Sequence, residues 1–63
     1  MRGLPDKENL RTDEVAAYWA VSVQTIRNLY RKGELEGVMV GSSLRIKRQS
    51  VLDYEARNAQ ASE

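Results

Sequence analysis

The chain is predicted to fold as a mainly α domain with a small β-hairpin, in the order helix, helix, hairpin, helix: a winged helix-turn-helix. Three observations predict it. Residues 22–33 read as one complete short helix with an apolar and a polar side. Only Val21 and Ser22 separate it from an earlier apolar-faced helix, and so short a link between two helices makes a helix-turn-helix. Beyond Gly33 the apolar period shortens from that of a helix to that of a strand, with Gly41-Ser42-Ser43 between two short runs.

Taken in order, residues 1–9 show no periodicity, and Gly3 and Pro5 punctuate a polar stretch expected as a flexible leader. The folded domain is expected to span residues 10–58, with Leu10 as its first core residue. Thr12 can cap the first helix, because Asp13 and Glu14 then fall in its first turn, where the helix dipole favours anions. Val15, Ala16 and Trp19 give that helix, placed at about residues 13–20, its apolar side. Ala20 and Val21 must make the turn, with Val21 expected in the core. Ser22 is a good N-cap for the second helix, and Gly33 suits the position just past its end, where a positive φ is usual. Ile26, Leu29 and Tyr30 form its inner stripe.

Leu35, Val38-Met39-Val40 and Leu44-Arg45-Ile46 read as strand. Val38, Val40, Leu44 and Ile46 are expected inward, and Met39, Arg45 and Lys47 outward. A lone hairpin is marginal in water, so it must lie against the helices as a wing. A closing helix is expected over residues 49–58, and residues 59–63 are expected to fray as a flexible tail.

Composition bounds the chemistry. Sixty-three residues make one small domain, and the chain has neither Cys nor His. Disulfides and the usual zinc ligand sets are therefore excluded, and no metal, cofactor or small-molecule ligand is expected. No apolar run approaches the roughly 20 residues needed to cross a bilayer, and no signal peptide is visible. A cytoplasmic protein without a membrane partner is the expectation. Catalysis would need a nucleophile with a base, a paired acid and base, or a metal. The carboxylates come as near neighbours such as Asp13/Glu14, which do not face each other on a helix, so no catalytic residue is assigned and an enzyme is rejected.

Net charge is only +1, but it is unevenly spread. Residues 22–48 hold six cations against two carboxylates, while both flanking segments are net negative. A localised basic face is the footprint of phosphate binding more than any total is. The polar side of the second helix holds Gln24, Thr25, Arg27, Asn28 and Arg31 without a carboxylate. Such a helix suits a DNA major groove, where Arg can bond guanine and Gln or Asn adenine. On this helix alone, a merely solvated polar face is the stronger reading, and the elements on both sides shift the balance.

Within that reading, Gln24 and Arg27 are expected at base edges. Thr25 and Asn28 could equally serve the helix itself. Arg31 and Lys32 are expected at phosphates. Ser22 caps the helix, and the amides beside it, Val23 among them, could hold a phosphate. Ser42, Ser43 and Arg45 form a wing tip that can enter a minor groove, or else an ordinary turn with a solvated Arg. Lys47 and Arg48 could bind backbone phosphate or form a solvated pair. Trp19, Tyr30 and Tyr54 are expected in or near the core, and Tyr18 partly exposed.

From Leu10 to Tyr54 the sequence resembles the excisionase-type members of the MerR-like winged-helix superfamily. Leu10-Arg11-Thr12-Asp13-Glu14-Val15-Ala16 is similar to that family's opening Leu-x-Thr-x-x-x-Ala segment. Val21-Ser22-Val23-Gln24-Thr25-Ile26-Arg27 is similar to its second-helix motif. Gly33-Glu34-Leu35, Val38-x-Val40-Gly41 and Arg45-Ile46 resemble its hairpin, and Tyr54 stands at its closing-helix aromatic. Ala20 replaces the usual turn Gly, Lys47 a common Pro, and Leu44 a frequent aromatic or basic wing residue. MerR regulators continue into a long dimerisation helix for which this chain leaves no room, so the resemblance implies a stand-alone excisionase-like factor.

Such factors bind repeated sites on double-stranded DNA beside an attachment site, associate with one another there and bend the DNA. They contact an integrase and bias it towards excision of a phage or mobile element, which implies a bacterial cytoplasm and the nucleoid. The alternatives are a small phage or mobile-element transcription regulator, a terminase small-subunit-like packaging factor, or a protein-interaction module gripping a partner through the Met39 strand or Tyr18.

Overall fold

The computed structural model describes residues 3–61, with side chains for residues 3–58. Its elements are β1 (Asn9–Arg11), α1 (Thr12–Trp19), α2 (Val23–Arg31), β2 (Gly37–Val40), β3 (Ser43–Lys47) and α3 (Arg48–Ala61). Three helices thus surround a small antiparallel sheet of order β1-β3-β2, as a winged helix-turn-helix requires. Among the described residues, no helix is long and apolar enough to cross a membrane. Met1 and Arg2 of the expected leader, and Ser62 and Glu63 of the expected tail, lie outside the described residues. The closing helix starts one residue earlier than expected and runs on to Ala61.

Leu10, Val15, Ala16, Ile26, Leu35, Ile46 and Val51 form the core, drawing on every element except β2. Strand β1 was not expected. It is three residues long with a single apolar side chain, so nothing local marks it. Pairing makes it: Leu10 sits opposite Ile46, and both are fully buried. Residues ahead of it also touch the domain, since Leu4 lies against the core and the Arg48 Nε donates to the Pro5 carbonyl at 3.0 Å. Arg48, expected at a backbone phosphate or in a solvated pair, is half-buried and uses its Nε within the domain. Thr12 is not the cap of α1. Arg11, extended by its place in β1, occupies that position, and the Glu14 carboxylate accepts its backbone N–H at 2.8 Å. That bond, and then the Lys7 ammonium, hold the Glu14 carboxyl below the usual carboxylate range.

The hairpin register corrects the expected faces. Val40 pairs with Ser43 and Met39 with Leu44, so the loop is the two residues Gly41-Ser42 and not three. Gly41 has φ +63° and Ser42 does not share the sign, the φ pattern of a type II′ turn. Shortening the loop by one residue turns β2 over. Met39 shares its face with Leu44 and Ile46 yet stays 58% exposed, as expected of it, while Val38 and Val40 share the other face with Arg45 and Ser43 and are 46% and 56% exposed, not inward. Gly37 lies so close to β3 that a Cβ there would overlap the Arg45 carbonyl.

Both helices of the helix-turn-helix end with the same pair of hydrogen bonds. After α2, Gly33 donates to Tyr30 and Glu34 to Leu29, with Gly33 at φ +81°. After α1, Ala20 donates to Ala17 at 3.2 Å and Val21 to Ala16 at 2.9 Å. This is the Schellman motif, whose turning residue is left-handed. Gly33 takes that conformation without strain, but Ala20 (φ 58°, ψ 44°) does not. The tight reversal also leaves Val21 40% exposed, outside the core where it was expected. Ala20→Gly is expected to raise stability by roughly 0.5–1 kcal/mol, the left-handed penalty less the extra freedom of an unfolded Gly. A thermal melt should show a gain of a few degrees, and a lower Tm would contradict this account of the turn.

Candidate nucleic-acid interface

The short turn fixes how α2 is presented. Ser22 is extended (φ −78°, ψ 156°), and its hydroxyl oxygen accepts the Thr25 backbone N–H at 3.2 Å. Ile26 is fully buried and anchors the helix, with Val23, Leu29 and Tyr30 lying against the core beside it. Those four positions take the inner arc, which leaves Gln24, Arg27, Asn28 and Arg31 on a continuous exposed side. The Gln24 Nε2 donates to the Asn28 Oδ1 at 3.0 Å along that side, bracing the two amides one turn apart. Ser22→Ala is expected to cost about 1 kcal/mol through the lost cap, read as a lower melting temperature. An unchanged Tm would remove the cap.

The wing stands beside this helix. A cleft of about 410 Å³ opens between them, bordered by Val23 and Arg27 of α2 and by Ser42, Ser43 and Arg45 of the hairpin. A second cleft of about 330 Å³ lies further along, between Arg27 and Arg31 on one wall and Met39 and Ser42 on the other. Arg27 borders both. The structure therefore brings together Val23, Arg27, Arg31, Ser42, Ser43 and Arg45, with Gln24 and Asn28 adjoining on the outer side of α2.

Four of the twelve expected contact residues stand apart. Ser22 and Thr25 are hydroxyl partners at 3.0 Å. Thr25 borders an apolar groove with Trp19, Val21 and Tyr54, on the shoulder of α2 away from the wing. Lys32 follows the last turn of α2. Lys47 sits at the far end of β3, with the Glu36 carboxylate 3.8 Å from its Nζ. Tyr18 is half-buried beside α3, where the Glu55 carboxylate raises its hydroxyl above the usual value. Trp19 donates to the same carboxylate at 2.8 Å and packs on Tyr54 with the rings tilted by 44° and their centroids 5.3 Å apart. These aromatics join α1 to α3, and the Arg57 guanidinium caps the Tyr54 ring.

Charge separates the two sides of the molecule. The ion pairs among the described residues are Lys7–Glu14, Arg11–Asp13, Lys47–Glu36 and Arg57–Glu34. Among the described residues Arg27, Arg31, Lys32, Arg45 and Arg48 have none, and of these Arg48 is half-buried with its Nε bonded to the Pro5 carbonyl. Three of those five cations border the two clefts, so most of the positive charge without an ion pair lies on the side built from α2 and the wing.

Sequence reasoning missed Arg11. It lies in a stretch where acids outnumber bases, and only the pairing of β1 with β3 carries it to the first cleft. No signal within residues 1–21 points to that placement.

No curated protein matches the chain. The sequence model of the helix-turn-helix domain matches residues 10–59, from the start of the core to the closing helix. The chain therefore belongs to the helix-turn-helix domain family, a family of DNA-binding domains.

Proposed function

We propose that this chain is an excisionase-like factor: it binds repeated sites beside an attachment site, bends the DNA, and directs an integrase towards excision of a phage or mobile element. In this reading α2 enters the major groove, with Gln24, Arg27 and Asn28 at base edges and Arg31 and Lys32 at phosphates. Ser22, Val23 and Thr25 lie against the backbone at the start of α2. The wing, through Ser42, Ser43 and Arg45, follows the adjacent minor groove, and Lys47 meets the backbone beyond it.

The observation that carries the reading is the cluster of cations without ion pairs, Arg27, Arg31 and Arg45, on the side formed by α2 and the wing. The resemblance described above supplies the recombination role. A module of this size buries only roughly 600–1,000 Å² on DNA. High specificity then requires several copies side by side, and copies on adjacent sites can hold the duplex bent.

Footprinting across the element's attachment region, with an excision assay using the cognate integrase, tests the proposal. Protected direct repeats together with stimulated excision are expected. Protection confined to a promoter, with excision unaffected, would favour a transcription regulator and overturn the recombination role.

A further inference from the structure

We propose that the cleft between β1, α2 and the wing seats a backbone phosphate of the bound duplex, and that Arg11 is a DNA-contact residue lying outside both the reading helix and the wing. The inference rests on the DNA-binding reading above. Its first support is the register, in which Arg11 of β1 is the direct partner of Arg45 of β3. Cross-strand partners share one face of a sheet, and like charges placed there destabilise the pair. The fold keeps this repulsion where an anion between the two guanidiniums would relieve it.

The second support is the cleft. Arg11, Arg45 and Arg27 come to it from three separate elements, and Ser42 and Ser43 border it from the hairpin. A phosphodiester carries one negative charge and two free oxygens, which guanidinium forks and hydroxyl donors match. At about 410 Å³ the cleft has ample room for that group while staying open to a duplex. Arg27 borders the cleft and is exposed on α2, so a phosphate held there would lie beside the bases that α2 reads.

Third, the one carboxylate bordering the cleft is Asp13, whose Oδ1 lies 3.4 Å from the Arg11 Nε. Both side chains are more than half exposed, so their attraction is weak and Arg11 can exchange Asp13 for a phosphate. Asp13 repels that same phosphate and so restrains the affinity.

The test is duplex binding by fluorescence anisotropy over a range of KCl concentrations, with wild type, Arg11→Gln, Asp13→Asn and Arg27→Ala, each first checked by thermal melting. Arg11→Gln is expected to weaken binding several-fold on every sequence and to reduce the slope of log K against log salt by about one. Base preference should stay as in wild type. Asp13→Asn, which leaves Arg11 in place, should tighten binding. If Arg11→Gln and Asp13→Asn both bind as wild type while Arg27→Ala binds more weakly, the phosphate seat is overturned and the DNA-binding reading stands. If wild type binds no duplex at low salt, both fall. Inorganic phosphate distinguishes the remaining source. Were it to shift the Arg11 Nε signal in NMR while Arg11→Gln still bound duplex normally, the cleft would be a free-anion site and the inference wrong.

Discussion

Ile26→Ala is expected to leave much of the chain unfolded at 25 °C. Ile26 is fully buried on the inner side of α2, and it is one of only seven core residues among those described. Truncating a buried Ile to Ala costs about 2–5 kcal/mol, the lost transfer energy plus the cavity left behind. A core this small seldom supplies more than roughly 3–5 kcal/mol in total, so the substitution removes most of the margin. The loss reaches function directly, because Ile26 is what seats the helix bearing Gln24, Arg27 and Asn28. A far-UV circular dichroism melt reads the outcome. A folded baseline at 25 °C, with Tm within a few degrees of wild type, would mean that α2 is anchored by something other than Ile26.

Arg27→Ala is expected to give the largest loss of DNA affinity among single exposed substitutions. Arg27 is exposed, has no ion pair among the described residues, and borders both clefts between α2 and the wing. A bidentate Arg–guanine contact is worth about 1–3 kcal/mol, or about 5-fold to 150-fold in Kd. Stability should hardly change, since the side chain leaves no buried cavity. The pattern of loss identifies the contact. Base reading predicts that discrimination disappears at one base pair. A phosphate contact predicts uniform weakening with a shallower salt dependence. Wild-type affinity for a defined site would exclude Arg27 from the interface.

The helices were legible because their signals are local. A period of 3.6 placed Ile26, Leu29 and Tyr30 on one side of α2, and Ser22 and Gly33 marked its ends by hydroxyl capping and positive φ. The turn was legible too, although Ala20 performs it where Gly is usual. What failed depended on pairing. Gly41-Ser42-Ser43 suits a loop of two or three residues, and that single residue decides whether Val38 or Met39 faces the helices. Strand β1 carries one apolar side chain and exists only because Leu10 meets Ile46 across the sheet. The site divides the same way. The outer side of α2 could be read from the chain, whereas the meeting of Arg11 with Arg45 required the fold.

The central claim is that the exposed side of α2, together with the wing, grips duplex DNA. An NMR titration of the isotopically labelled protein with duplex at low ionic strength tests it most directly. The account predicts amide shifts concentrated at Gln24, Arg27, Asn28 and Arg31 and at Ser42 to Arg45, fading as salt is raised. Shifts confined to the Trp19, Val21 and Tyr54 groove, or none at all, would contradict it.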